Sequence, residues 1–158
     1  MAPNALEALC RLLMDLKGVD GRIHIRGLYD QVVPPTEAEL EAWRGLPSNV
    51  HEYMKEEVTS TALTGLKEYS ILERTWALPT FEIHGIMGGF TGEGAKTVLP
   101  ARANAKISTR LVADQDPEAV EGQLRAFLAE HLPADVSWSL HKHSAGPGST
   151  MDRKSIYM

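Results

Sequence analysis

The chain has 158 residues, 43% of them hydrophobic, a single cysteine and a formal net charge of −5. That length allows one domain with a buried core, and an acidic chain whose 16 basic residues are scattered lacks the footprint of a nucleic-acid or anionic-membrane binder. No apolar run approaches the roughly 20 residues of a membrane span and the N-terminal stretch carries no signal-peptide pattern, so a soluble, cytoplasmic chain is expected.

Asn4 and Glu7 open a helical pattern as N-cap and reciprocal partner; Leu6, Leu9, Cys10, Leu13 and Leu16 form its stripe and Lys17-Gly18 close it. On that stripe Cys10 is expected to be a buried, inert thiol; being alone it forms no internal disulfide and agrees with a reducing compartment. A short strand or hairpin arm follows over Arg22–Ile25, with His24 as a surface residue.

From Pro34 to Leu66 the composition turns acidic and helical. Thr36 with Glu39 and Asn49 with Glu52 predict short helices over about 36–45 and 50–57, with a third near 60–66 and Trp43, Tyr53 and Met54 as core contacts. Thr80–Met87 then reads as a strand, with Phe81, Ile83, Gly85 and Met87 on one face and Glu82, His84 and Ile86 on the other. After a glycine-rich loop, Ala103, Ala105, Ile107, Thr109 and Leu111 alternate with Asn104, Lys106, Ser108 and Arg110, which puts Arg110 on the polar face.

Asp116-Pro117-Glu118 combines an N-cap, a proline at the first helical position and an acid in the first turn. The helix it starts has the stripe Val120, Leu124, Phe127 and Leu128, carries His131 in its last turn and stops at Pro133. Val136, Trp138 and Leu140 then alternate as a last strand before Gly146-Pro147-Gly148. The order predicts an α+β domain over 1–150, a ferredoxin-like split βαββαβ unit lacking its first strand and carrying a helical insertion over about 30–70, with 151–158 as a linker. An absent interior strand leaves rows of unpaired backbone groups that invite another chain or a tail.

The loop Gly88–Thr97 has four glycines within seven residues, a backbone able to take positive φ and to let another group approach. Its Gly89 to Lys96-Thr97 run imitates a phosphate loop, but Ala95 intrudes before Lys96 and a strand rather than a helix follows, so nucleotide binding is not expected. His84, His141 and His143 have no carboxylate or thiolate at ligand spacing, so no metal site is assigned. No serine sits in a nucleophile elbow, and Glu56-Glu57 read as a wet helix face. Arg110 offers a planar fork for a carboxylate and Thr97 an accessible hydroxyl beside the glycines.

The string from Ile83 through Gly88-Gly89-Phe90-Thr91-Gly92-Glu93-Gly94-Ala95-Lys96-Thr97 to Ser108-Thr109-Arg110-Leu111-Val112 resembles the inserted lid and dimerisation domain of the di-zinc aminoacylase, carboxypeptidase and dipeptidase metallopeptidases, closest to the dipeptidase, carnosinase-like branch. The likeness extends back through Leu72–Trp76 and Gly27–Asp30 to Asn4. It implies that Thr97 and Arg110, 13 positions apart as in that branch, bind the carboxylate or backbone of a peptide or dipeptide, Thr97 reaching across a homodimer from a substrate loop containing Gly92, Gly94 and Lys96. It also implies two zinc ions in the parent enzyme and none here, since the family's His-x-Asp and Glu-Glu motifs are missing, as is the lid histidine that stabilises the oxyanion. The reading is therefore a dimerising, substrate-anchoring lid that is inactive alone. The alternative is a self-standing ferredoxin-like oligomerisation or small-ligand module.

Overall fold

The computed structural model describes residues 2–46, 56 and 64–149. Tyr53 and Met54, most of the helices expected over 50–57 and 60–66, and the linker 151–158 lie outside the described residues.

Helix α1, Ala5–Leu16, starts where the extended Asn4 accepts the amides of Leu6 and Glu7 at 3.0 and 3.2 Å. Glu7 does not reciprocate; its carboxylate takes Arg11 one turn on, at 2.6 Å. The core-facing stripe is Leu9, Leu12, Leu13 and Leu16, and Cys10 is exposed rather than buried. A helix turns about 100° per residue, so the step past Leu9 carries Cys10 off this stripe. The Arg22–Ile25 arm is a single antiparallel bridge, Lys17 to Ile23, and not a strand. The turn bonds from Leu28 to Ile25 and from Asp30 to Gly27 curl the chain at once, while Ile23, Ile25 and Leu28 stay buried.

Helix α2, Glu37–Arg44, has the expected capping box between Thr36 and Glu39. Helix α3, Ile71–Trp76, unassigned from the sequence, carries the same box between Ser70 and Glu73. The Ser70 bonds hold the Glu73 carboxyl below its ordinary range. Neither helix buries a residue fully. Trp43 is half-buried edge-on to Trp76, ring centroids 5.4 Å apart, and lies outside the main core that it was expected to join.

Strands β1, Thr80–Gly88, and β2, Ala103–Arg110, form an antiparallel hairpin whose register breaks between Ile83 and Gly85. Residues opposite each other share a face, so the pairs Phe81–Thr109, Ile83–Ile107, Ile86–Ala105 and Gly88–Ala103 face the helices. The bulge therefore reverses the expected faces of its second half: Ile86 turns inward, while Gly85 and Met87 lie with Lys106 and Asn104 on the polar side.

Helix α4, Pro117–His131, begins at Asp116, whose side chain accepts the Glu118 amide, and buries Val120, Leu124, Phe127 and Leu128 as expected. Buried Gln115 ties the preceding turn to the arm, accepting the Val112 amide at 3.0 Å and donating to the Leu28 carbonyl at 2.7 Å. The last expected strand, Val136–Leu140, does not form: these residues have no ladder partner among the described residues, although Leu140 packs on the core and its carbonyl accepts Arg125 at 3.1 Å. An extended segment becomes a strand only by pairing. The described sheet is thus two-stranded, not the fuller sheet of a complete ferredoxin-like unit.

The core joins α1, the arm, α4 and the inward face of the hairpin, with Phe81, Leu16 and Leu28 its largest fully buried side chains. Phe81→Ala is expected to cost about 3–5 kcal/mol in urea unfolding. Asp116→Ala, which removes only a cap, is expected to cost about 1 kcal/mol in the same measurement.

Candidate functional site

The hairpin fixes the loop and Arg110 by its own length. Residues 89–102 leave the ladder beside the Gly88–Ala103 pair, with Gly89 and Gly94 at φ 75° and 85°, conformations that a Cβ would disfavour. Phe90 lies across Gly92, with the Lys96 ammonium 5.6 Å from its ring centroid. Thr97 is exposed, and no helix springs from Lys96-Thr97, in keeping with the rejection of a phosphate loop. The Ala5 amide donates to the Pro100 carbonyl at 3.1 Å, anchoring the end of the loop to the start of α1.

Arg110 stands opposite Thr80 at the other end of the ladder, exposed on the polar face as expected. Seven residue steps separate Ala103 from Arg110. At about 3.3 Å per step this is roughly 23 Å of strand. The loop that bears Thr97 thus leaves the ladder at the end opposite Arg110, and no hydrogen bond joins the two side chains.

The polar face beside Arg110 also carries a pair not singled out from the sequence. His84 Nε2 lies 2.6 Å from Ser108 Oγ, two residues before Arg110 on the same face of β2. Glu82 opposite Ser108 is engaged by Lys17, whose ammonium also donates to the Phe81 carbonyl, at 3.0 and 2.9 Å. Glu82 is therefore paired with Lys17 just after α1, and among the described residues no ion pair joins an acid to Arg110. His84, His141 and His143 form no metal site: among the described residues no group of three or more His, Cys, Asp or Glu could hold an ion.

Two apolar features also escaped the sequence reading. Although Ile83 and Ile86 face the helices, they remain 41% and 48% exposed along β1, whose outer edge has no strand partner among the described residues, and Met14 on α1 is 56% exposed. The polar lysine Lys142 meanwhile pins the chain after Leu140 to α4 through Glu118 and, at 2.8 Å, Glu121. Lys142 and then Arg125 hold the Glu121 carboxyl below its ordinary range.

A family profile described as a peptidase dimerisation domain matches residues 1–136. The human Beta-Ala-His dipeptidase is 38% identical over 122 residues, 77% of this chain and 24% of that protein. The Cys-Gly metallodipeptidase DUG1 of Saccharomyces cerevisiae is 35% identical over 126 residues, 80% of this chain and 25% of that protein. Among solved structures, an M20 family metallo-carboxypeptidase from Sulfolobus solfataricus superposes with a TM-score of 0.73 at 33% identity, covering 83% of this chain and 34% of that one. Human carnosine dipeptidase 1 gives 0.66 at 35% identity, covering 78% and 26%. The chain spans about a quarter of the length of the curated relatives it matches. Profile, relatives and superpositions converge on the same hairpin-and-helix unit, and this chain belongs to the peptidase dimerisation domain family of the M20 metallopeptidases.

Proposed function

We propose that this chain is the dimerisation and substrate-anchoring lid of a zinc-dependent dipeptidase or carboxypeptidase, and that the hydrolytic machinery lies on polypeptide outside residues 1–158. A zinc-activated water attacking the peptide carbonyl would be the chemistry supplied there. The lid's part is to bind the substrate's carboxylate end and, through closure, to exclude water. Its finer topology in this proposal is a ferredoxin-like split unit without its first strand, and its compartment is the cytoplasm.

The observation that carries the reading is that the loop bearing Thr97 springs from one end of the hairpin while Arg110 sits at the other, with no hydrogen bond between them. A two-fold dimer can bring one subunit's loop to the other's arginine, so that hydroxyl and guanidinium meet one carboxylate across the interface. Arg110 is exposed and free of the Glu82 charge, so its two parallel donors remain available for a carboxylate. For the dimer contact, the free edge of β1 supplies unpaired backbone groups, with Ile83, Ile86 and Met14 as apolar surface.

Sedimentation of the purified chain is expected to show a dimer that Ile86→Asp converts to monomer without loss of helical signal; a monomeric parent chain at high concentration contradicts this interface. The chain alone, given zinc and dipeptides, is expected to hydrolyse nothing, and metal-dependent cleavage by it would refute the division of labour. In a full-length protein carrying this sequence, Thr97→Ala or Arg110→Met should each lower kcat/KM on the order of a hundredfold. Mixing the two variant subunits should restore roughly a quarter of the original activity, because half the dimers are mixed and each mixed dimer has one site with both groups intact. No restoration would mean that Thr97 and Arg110 act within one subunit.

A further inference from the structure

A cavity of about 250 Å³ lies between the arm and α3, and its described lining residues include none from the hairpin or the glycine loop. Much of its wall is apolar, with Pro34, Pro35 and Leu66 as contributors. Two rings, Tyr29 and Tyr69, and two side chains of opposite charge, Arg22 and Glu73, complete it.

Each of these four groups is held in place. The Tyr29 hydroxyl accepts the Ile23 amide at 3.1 Å, which pins the ring across the arm, and the Arg22 guanidinium lies over that ring 5.0 Å from its centroid. Tyr69 is fixed through its carbonyl, which accepts Arg74 Nε at 2.8 Å. The Ser70 amide donates to Glu73 Oε2 at 2.8 Å and orients the carboxylate, which the Ser70 bonds hold below its ordinary range. A carboxylate has about four acceptor sites, so Glu73 keeps capacity for a ligand. Among the described residues neither charge has an ion-pair partner. Asp20, two residues from Arg22, accepts that residue's backbone amide at 3.0 Å. Arg44, the base whose field reaches Glu73, is bonded to Glu37 at 3.0 Å and to Glu41 at 3.6 Å.

We infer that this cavity binds a small zwitterion with an apolar side chain, a free amino acid such as leucine, its carboxylate on Arg22, its ammonium on Glu73 and its side chain among Leu66, Tyr69 and the prolines. A lone anion would be repelled by Glu73 and a lone cation by Arg22, so only a ligand carrying both signs gains from both walls. A wholly apolar ligand would take water from two ions and return no partner to either. The volume lies below the roughly 300–1,000 Å³ of sites for drug-sized ligands. Polyproline peptides, which also favour aromatic surfaces, need an extended groove instead. Under the proposed function such an amino acid is a hydrolysis product; that role rests on the proposed function, whereas the binding uses neither Thr97 nor Arg110.

The 158-residue chain is titrated with L-leucine, N-acetyl-leucine and leucinamide in mildly acidic buffer, by calorimetry and by NMR shifts of the Tyr29, Leu66 and Glu73 amides. Leucine should shift these amides. N-acetyl-leucine, which lacks the ammonium, and leucinamide, which lacks the carboxylate, should each bind about tenfold more weakly or worse, having lost one charge-assisted pair. Arg22→Met keeps an apolar stem over Tyr29 and should erase the preference for leucine over leucinamide alone. Glu73→Gln keeps the capping box, which glutamine also serves, and should erase the preference over N-acetyl-leucine alone. Absence of leucine binding, equal binding of the three ligands, shifts confined to the hairpin, or variants that keep both preferences would each overturn the site. None of these results bears on the mixed-subunit experiment, so the cavity and the lid function can fail separately.

Discussion

A two-stranded ladder leaves as many unpaired backbone edges as it has strands, and this constraint organises the molecule. The hairpin gains its stability from one face, where Phe81 is sealed beneath α1, α4 and the arm that carries Ile23, Ile25 and Leu28. Burying one aromatic and the apolar stripes of two helices outweighs the cost of ordering the turns between them. It does nothing for the amides along the outer margins of β1 and β2. Ile83 and Ile86 show the same incompleteness in side chains: they face inward yet stay substantially exposed, since the helices do not extend over them.

The margins have different neighbours. On β1, Ile83 and Ile86 leave apolar surface beside an edge with no strand partner among the described residues. Beside β2 lies a groove of about 620 Å³ lined by Ala101–Asn104, Asp135–Ser139 and the start of α1. Membership of a peptidase dimerisation family agrees with the first. Distance along the hairpin then separates the loop from the arginine.

Much was legible in residue order. The stripe Val120, Leu124, Phe127 and Leu128 and the Asp116-Pro117 start gave α4 because helical spacing and capping act over a single turn. Thr36 with Glu39 marked α2, and Ser70 with Glu73 carried the same local signal for α3. The polar side of β2, Arg110 included, followed from strict alternation. The glycine loop, Thr97 and the lack of a helix after Lys96 were equally local.

What local order left open were features with long-range causes. A bulge at Ile83/Gly85 turned Ile86 inward, since register belongs to a pair of strands and not to either alone. Val136–Leu140 has the alternation of a strand but no ladder partner among the described residues, and hydrogen bonding across strands cannot be read from one of them. Cys10 fell outside the buried face because the core's position around α1 is chosen by what packs there. By itself, then, the sequence determined α1, α2, α4, the hairpin and the family, whose signals lie within short stretches of chain. Only the tertiary structure decided which faces close and how far the start of β2 stands from Arg110, because these depend on contacts between segments distant in the sequence.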